Sequence, residues 1–398
     1  MAEVEVIYLD NNATTEVDPA VIEEMLPFLT KYYGNPSSGY GFAATARKAI
    51  NLARERLAAL LGCEPVEIVF TSGGTESNNA VINSALQLET CGKRMVTSAV
   101  EHSAVLRPCQ DLAKQGCDVT FLGVDRHGNL DLAELEAAIR PETALVSIMW
   151  ANNETGVVFP IEKIAEICRE KRVLFHTDAV QVTGKIPMRL RDLPINFLSL
   201  SAHKFHGPKG VGALYVSRQT RFSPLIAGGG QENGCRGGTE NVASIVGLGK
   251  AAELALEYQG KCNIRSMRDR FEKFVLEAVS GASVNGANAA RLPNTSSLSF
   301  EDIESPSALL LLDRQGICCS AGSACRTGSQ EASHVLGAMN PSADGARRSL
   351  RFSFGRFNTD AQIDRAIEAV PKVIEKLRQG AALVATSLPA TPLLSGGG

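Results

Sequence analysis

The sequence predicts an α/β protein, with a large domain around a mostly parallel sheet followed by a smaller α+β domain. Up to about residue 260, short β-rich runs alternate with amphipathic helical segments, which is typical of a parallel sheet covered by helices on both faces. From residue 261 the helical runs alternate with fewer strands, and the last stretch ends in Pro, Ser and three glycines, which indicates a flexible tail. The predicted division is therefore 1–260, 261–380 and 381–398, with the N-terminal segment free to pack on the smaller domain.

The individual elements follow from local signals along the chain. Asp18 and Pro19 form an N-cap and a first-turn proline, and an amphipathic stretch over 43–61 ends at Gly62, where a C′ glycine is expected. The strands predicted for the large domain are 67–71, 94–97, 118–122, 144–149, 173–177, 197–200 and 210–216, with helices over 131–139 and 161–171 between them. The smaller domain is predicted to hold helices 266–279, 305–314 and 361–377 and strands 296–300 and 350–354.

Composition and charge exclude several classes of protein. Of the 398 residues 44% are hydrophobic and 21% charged, as in ordinary globular proteins, and 40 basic against 43 acidic residues leave a net charge of −3. This balance provides no overall positive electrostatic potential that would attract nucleic acid or an anionic membrane. The longest apolar runs are far shorter than the ~20 residues of a spanning helix, and the N-terminus lacks signal-peptide regions. We expect a cytoplasmic protein with neither kind of partner.

Ten cysteines are present, but their spacing does not predict a metal site or a disulfide framework. No pair has C-x-x-C spacing, and a reducing compartment argues against disulfides. Most are expected to be small buried residues.

A polar cluster follows the predicted strand 197–200. Ser201, His203 and Lys204 come at its end, before a Gly-Pro-Lys-Gly hairpin signal. If only one lysine were present, the simpler interpretation would be a polar loop whose lysine is solvated. Hydroxyl and ionic groups at a strand end are also what a cofactor phosphate and an imine-forming amine require, and a lysine whose pKa is lowered by burial attacks carbonyls.

Asp178 lies just past another buried strand. A buried acid needs a cation or a donor, and in pyridoxal enzymes that cation is the protonated pyridine nitrogen. An N-cap role for Asp178 in the next segment is an equally good interpretation from the sequence alone.

Three further clusters also follow predicted strands. The segment 71–79 contains Gly74 and Thr75 in a glycine-containing turn that opens a helix, a geometry that suits a phosphate but is weak evidence alone. His102 and Asn153 follow two other strands; each taken singly is readily explained as a satisfied polar terminus. All five clusters fall at the carboxyl ends of strands, where open α/β sheets build ligand sites.

Together these residues resemble the NifS/IscS-type cysteine desulfurases, class V aminotransferase-like enzymes of fold-type I that depend on pyridoxal phosphate. The resemblance covers nearly the whole chain in order and is closest to the NifS branch. It is carried by the segments 8–15, 34–38, 70–77, 100–103, 149–154, 175–181, 201–204, 236–241, 321–325 and 351–356.

The resemblance implies a role for each matching residue around the cofactor. Lys204 would hold pyridoxal phosphate through its amine, Asp178 would pair with the pyridine nitrogen, and His102 would stack over the ring and carry protons. The residues implied near the ring oxygen and substituents are Gln181 and Asn153, and those around the phosphate are Gly74, Thr75, Ser201 and His203, with Thr239 from a second subunit.

The resemblance also implies a substrate, a nucleophile and partners. Arg351, Asn35 and Asn153 would bind L-cysteine, and Cys325 would accept its sulfur as a persulfide while L-alanine is formed. The enzyme would be a homodimer, and an iron–sulfur scaffold protein, in a pathway related to nitrogenase, would take the sulfur. No metal ligands are implied.

This chain departs from the family pattern around the nucleophile. The usual Ser-Gly-Ser-Ala-Cys-Thr-Ser reads Ala321-Gly-Ser-Ala-Cys-Arg-Thr327 here, and a later Glu-Pro-Ser reads Glu-Ala-Ser. Arg326 could favour the reactive thiolate by its charge or be a solvated surface residue. Cys318 and Cys319 are interpreted as strand residues rather than nucleophiles.

Two alternatives to a desulfurase stay open at this point. A selenocysteine lyase or another β-eliminating relative would differ in its products. A metal or cluster scaffold would use the ten cysteines, although their spacing argues against it.

Overall fold

The computed structural model describes residues 5–88, 94–321, 333–340 and 347–387, with side chains only as far as residue 380. The strands, numbered in chain order, are β1 Ile7–Tyr8, β2 Ile68–Thr71, β3 Arg94–Ser98, β4 Asp118–Leu122, β5 Thr143–Ser147, β6 Leu174–Asp178, β7 Phe197–Ser201, β8 Gly212–Val216, β9 Ala282–Val284, β10 Thr295–Phe300, β11 Ile317–Cys318, β12 Ser320–Ala321 and β13 Ser349–Ser353. The α-helices are α1 Pro19–Thr30, α2 Gly41–Leu61, α3 Gly74–Leu88, α4 Ser103–Lys114, α5 Leu132–Ala138, α6 Ile161–Lys171, α7 Val242–Tyr258, α8 Ile264–Ala278, α9 Ser305–Asp313, α10 His334–Met339 and α11 Asp360–Ser387.

The largest sheet has seven strands in the order β2-β8-β7-β6-β5-β3-β4. Its strand pairs are parallel except those of β8, which runs antiparallel to both of its neighbours. The predicted α/β class with a mostly parallel sheet is confirmed. Because β3, β5, β6 and β7 run the same way, their carboxyl ends meet at one edge, where the predicted site clusters lie.

Helices cover both faces of this sheet, so most residues of its strands are buried. Helices α2, α6 and α7 pack on one face around residues such as Leu57, Ile164 and Leu248. Helices α3 and α4 pack on the other face, with Val81 and Cys109 in its core. Of the eight cysteines described, three are buried, four are partly exposed and Cys262 is exposed, so burial is less general than the sequence led us to expect.

A second, smaller sheet has the order β12-β13-β10-β9 and is antiparallel. Its core is aromatic, with Phe271, Phe300, Phe352 and Phe354 all buried. Ile7 and Leu9 from the start of the chain belong to the same core, and β1 pairs in parallel with β11. These two cores support our proposal of a domain division near residue 260, with the N-terminal segment packed on the smaller domain.

The terminal helix is longer than predicted. It continues to Ser387, seven residues into the segment expected as a tail, while residues 388–398 lie outside the described part of the chain. The run Ala-Ala-Leu-Val-Ala over 381–385 consists mostly of good helix formers, which explains the extension. In the part of the chain that is described, no helix combines the length and apolar character needed to cross a membrane.

Candidate active site

A cavity of about 540 Å³ opens at the carboxyl edge of the large sheet. Its volume is within the ~300–1,000 Å³ range of small-molecule sites. It brings together most of the site residues predicted from the sequence: Gly74, Thr75, His102, Asn153, Asp178, Gln181, Ser201, His203, Lys204 and Arg351.

One end of the cavity is formed by the turn between β2 and α3. A Cβ added to Gly74 would lie 2.6 Å from Val180 Cγ2, and one added to Gly212 would lie 2.6 Å from Gly73 Cα, so only glycine allows this close approach. The first amides of a helix have no partner within the helix and carry its positive dipole end. This end of the cavity is therefore suited to an anion such as a phosphate.

Asp178 is the last residue of β6 and is 5% exposed. Its Oδ2 accepts a hydrogen bond from Asn78 Nδ2 at 2.7 Å, and its Oδ1 accepts one from the Val180 amide at 3.0 Å. The carboxylate thus caps the backbone that follows it and also lines the cavity, so the two interpretations from the sequence are compatible.

Lys204 reaches the cavity from the short turn after β7. Its Nζ donates to the carbonyl oxygens of Asn12 and Ala13, each at 2.7 Å. His203 beside it makes a hydrogen bond through Nδ1 to Thr14 Oγ1 at 3.1 Å, and burial together with the Lys204 charge lowers the pKa of His203 to about 4. The N-terminal segment therefore holds the lysine by backbone carbonyls.

His102 is the N-cap residue of α4. Its Nδ1 accepts from the Ala104 amide at 3.1 Å, so in the neutral ring the proton is on Nε2. Burial lowers the pKa of His102, and the nearby Asp178 charge opposes this effect. The neutral ring therefore presents one N–H, on Nε2, as a hydrogen-bond donor.

Arg351, from β13, is 4% exposed and also lines the cavity. Its Nη2 pairs with Asp10 Oδ1 at 2.7 Å, and its Nη1 donates to the Asn153 carbonyl at 2.8 Å. Its Nε is buried with no partner among the described residues. An anionic substrate group could replace part of the contact between this guanidinium and Asp10.

Two residues with central contacts were not given roles from the sequence. Asn12 is 1% exposed, and its side chain contacts Thr295 Oγ1, Asn294 Nδ2 and Lys185 Nζ. Lys185 also donates to Gln181 Oε1 at 2.9 Å. Asn12 lies inside the segment 8–15 that carries the family resemblance. Lys185 does not directly follow a predicted strand, and no sequence pattern marked it as a site residue.

Two buried glutamates lie near the cavity. Glu101 Oε1 accepts from Ser98 Oγ at 2.7 Å and from the Met149 amide at 2.9 Å, and burial raises the pKa of Glu101 to about 8. Glu154 accepts from Ser333 Oγ at 2.5 Å, and burial raises the pKa of Glu154 to about 7. Ser333 is the N-cap of α10, which follows the segment that carries Cys325.

Two predicted site residues do not line the cavity described above, and a third lies outside the described residues. Asn35 is exposed in the turn between α1 and α2, and its Oδ1 accepts from the Ser37 amide. Thr239 lines a separate cavity of about 260 Å³ beside Ser72 and Gly210, which also border the main one. Cys325 and Arg326 lie outside the described residues. Burial raises the pKa of Cys318 and Cys319, which favours the unreactive thiol.

The described residues fit pyridoxal phosphate, the cofactor implied by the sequence. Asp178 is a buried carboxylate in the cavity wall that accepts one hydrogen bond on each oxygen, so it can accept a further one from a protonated pyridine nitrogen. The amide end of α3 suits the phosphate, and the Lys204 amine suits the aldehyde carbon.

Comparisons with known proteins agree along almost the whole chain. The family model described as Aminotransferase class-V matches residues 7–366. A protein of Nostoc sp. named cysteine desulfurase is 53% identical over 376 residues, which cover 94% of each chain. A solved structure described as "NIFS-LIKE PROTEIN" has a TM-score of 0.87 at 38% identity, over 94% of this chain and 100% of that one. Another, "SspA in complex with cysteine", has a TM-score of 0.78 at 40% identity, over 88% and 99%.

Proposed function

Because this chain belongs to the class-V aminotransferase family, whose members depend on pyridoxal phosphate, we propose that it is a cysteine desulfurase that converts L-cysteine to L-alanine. Curated relatives of that name are 53% and 52% identical over 94% of this chain. The proposal gives the enzyme a persulfide product on its own Cys325.

One observation carries the proposal. An amine, a buried carboxylate, a helix N-terminus and an arginine converge on one cavity from Lys204, Asp178, the start of α3 and Arg351. This combination suits an aldehyde cofactor with a phosphate at one end and a basic ring nitrogen at the other, together with an amino-acid carboxylate.

Bound pyridoxal phosphate supplies an electron sink for the electrons released when the substrate Cα loses its proton. The Lys204 amine, 2.7 Å from two backbone carbonyls, is the base that we assign to this proton. His102 carries its N–H on Nε2 and is the proton carrier for the substrate side chain. Arg351 orients the carboxylate, for which it would exchange part of its contact with Asp10.

The sulfur step is assigned to the Cys325 thiolate. A new S–S bond forms between Cys325 and the substrate sulfur while the substrate Cβ–S bond breaks. The electron pair of the broken Cβ–S bond stays on Cβ. The substrate Cβ takes up a proton, and Lys204 returns the proton that it took from Cα, so the products are L-alanine and an enzyme persulfide. Cys325 is five residues from Ser320, which lines the cavity, and five residues span at most about 18 Å.

We propose that the persulfide passes to an iron–sulfur scaffold protein in the cytoplasm. A link to nitrogenase assembly is part of the same proposal, and its support is the likeness to a NifS-like protein. A homodimer, with Thr239 completing the phosphate site of its partner subunit, is also proposed from the resemblance.

The test compares three variants with the parent enzyme supplied with L-cysteine. Lys204→Ala should lose both covalent cofactor attachment, read by mass spectrometry after borohydride reduction, and alanine release. Cys325→Ala should keep the cofactor but lose alanine release and persulfide labelling. Cys262→Ala changes an exposed cysteine and should behave as the parent.

Each assignment has an outcome that removes it. Alanine formation by Lys204→Ala would overturn the lysine assignment. Turnover by Cys325→Ala at the parent rate would reassign the nucleophile, with Cys319 the next candidate. A parent enzyme that released elemental selenium from L-selenocysteine but no alanine from L-cysteine would point to the lyase.

A further inference from the structure

Lys185 is a buried lysine that the proposed reaction does not use. Its Nζ donates to Gln181 Oε1 at 2.9 Å and to Asn12 Oδ1 at 3.1 Å. It borders a second cavity, of about 570 Å³, and does not line the active-site cavity. A buried lysine that donates to two side-chain amide oxygens favours the orientation in which each amide points its oxygen, rather than its nitrogen, towards the lysine.

The orientation of the Asn12 amide is fixed by its neighbours. Its Nδ2 lies 3.2 Å from the Asn153 carbonyl oxygen, which can only accept a hydrogen bond, and 2.9 Å from Thr295 Oγ1. Its Oδ1 therefore faces Lys185 and also accepts from Asn294 Nδ2 at 3.0 Å. Lys185 is thereby held between two amide oxygens.

The orientation of the Gln181 amide follows from the same reasoning. Its Nε2 lies 3.0 Å from the Asn12 carbonyl oxygen, an atom that only accepts, so its Oε1 must face the Lys185 amine. One N–H of Gln181 is used by Asn12. The second N–H is the donor that Gln181 brings to the cavity it lines.

The same chain of contacts reaches the substrate side of the cavity. The Asn153 carbonyl that orients Asn12 also accepts from Arg351 Nη1 at 2.8 Å. Lys204 Nζ donates to the same Asn12 carbonyl that accepts from Gln181. Asn12 thus joins the catalytic lysine, the arginine and the glutamine in one hydrogen-bonded network.

We propose that Lys185 is a positioning residue that holds the Gln181 amide with its nitrogen towards the cavity, as a hydrogen-bond donor to the anionic ring oxygen of the bound cofactor. Only the identity of that acceptor rests on the proposed function. Without the Lys185 donor, Gln181 Oε1 would be a buried oxygen with no partner, which costs about 1–3 kcal/mol and favours rotation of the amide.

Burial, with the charges of Lys204 and Arg351 nearby, lowers the pKa of Lys185 well below its ordinary value. The amine keeps its two N–H donors in the neutral form as well.

The test is the pH midpoint of the visible absorption band of the bound cofactor in the holoenzyme. A donor to the ring oxygen stabilises its anionic form, so loss of the donor should raise the midpoint. In Lys185→Met, which has a similar length and no N–H, we expect a rise of about one pH unit, the tenfold effect of one lost hydrogen bond. Lys250→Met, a half-buried lysine paired with Glu253, should leave the midpoint unchanged.

A double-mutant cycle separates positioning from a direct charge effect. If Lys185 acts through Gln181, then Lys185→Met should add no shift in a Gln181→Ala background. Additive shifts, or an unchanged midpoint in Lys185→Met, would overturn the inference. If Lys185→Met does not fold, the same cycle is run with Lys185→Gln, whose shorter side chain cannot hold both oxygens.

The results that would refute the proposed function differ from those that would refute the role of Lys185. A parent protein that binds no pyridoxal phosphate or releases no alanine from L-cysteine would overturn the function before any variant is compared. The midpoint cycle needs only the bound cofactor, and its result does not depend on turnover.

Discussion

Glu101 should make the protein less stable as the pH rises, and replacing it by glutamine should remove this effect. The side chain is completely buried, and only Oε1 has partners among the described residues, while Oε2 has none. Burial is the main cause of the raised pKa of Glu101, and the Asp178 charge adds to it. Glu101→Gln keeps an acceptor at the Oε1 position and removes the titrating proton.

The sign and the size follow from the two pKa values. The pKa of Glu101 rises from an ordinary 4.5 to about 8 in the folded protein. Below pH 4.5 the acid is protonated in both states, so its full contribution is present. Between 4.5 and 8 the unfolded state binds fewer protons, so stability is lost as the pH rises, by roughly 4 kcal/mol at pH 8.

The assay is urea unfolding of the holoenzyme at several pH values from 4.5 to 8.5, for the parent, Glu101→Gln and the exposed control Glu142→Gln. The free energies of unfolding of the parent and Glu101→Gln should be nearly equal at pH 4.5. At pH 8 the variant should be more stable by about 4 kcal/mol, and the control should follow the parent. If the parent and Glu101→Gln lost stability in parallel, the inference of a neutral buried acid would be refuted.

Three further predictions concern stability and assembly. Arg54→Met should destabilise the fold by about 3–5 kcal/mol, because Arg54 holds the buried Glu232 by two hydrogen bonds of 2.8 Å; a loss below 1 kcal/mol in urea unfolding would contradict this. Ser333→Ala should cost about 1–3 kcal/mol by leaving Glu154 without its donor, and an unchanged unfolding midpoint would argue against that bond. Dilution should weaken cofactor binding if the loop at Arg236 completes a partner's site, and a fully active monomer in light scattering would exclude the dimer.

Much of the fold could be predicted because local signals and the global fold agree. The helix expected over 43–61 ends at Gly62 with a left-handed φ of 66°, as the C′ glycine indicated, and Asp18 caps α1 through the Ala20 amide. The strand positions followed from apolar runs that are buried on both faces of the sheet. Strand order and the reversed direction of β8 could not be predicted, because they depend on pairings between residues far apart in the chain.

The site was predictable where its residues follow strands. Asp178, His102 and Lys204 come at carboxyl strand ends, and parallel strands bring these ends to one edge. Asn12 and Lys185 were missed because their importance lies in contacts across long sequence separations, such as the hydrogen bond between Asn12 and Asn294. No periodicity or motif in a single sequence encodes such a contact.

The packing of the N-terminal segment sets the order in which the protein can be completed during synthesis on the ribosome. The backbone N–H of Asn12 donates to Ser353 Oγ, 341 residues later, and β1 pairs with β11. At about 5–20 residues per second, the first strand waits roughly 20 to 70 s for these partners to be translated. Since Asn12 and Ala13 hold the Lys204 amine, a nascent chain can form its large sheet early but acquires a complete cofactor site only after β13 has been made.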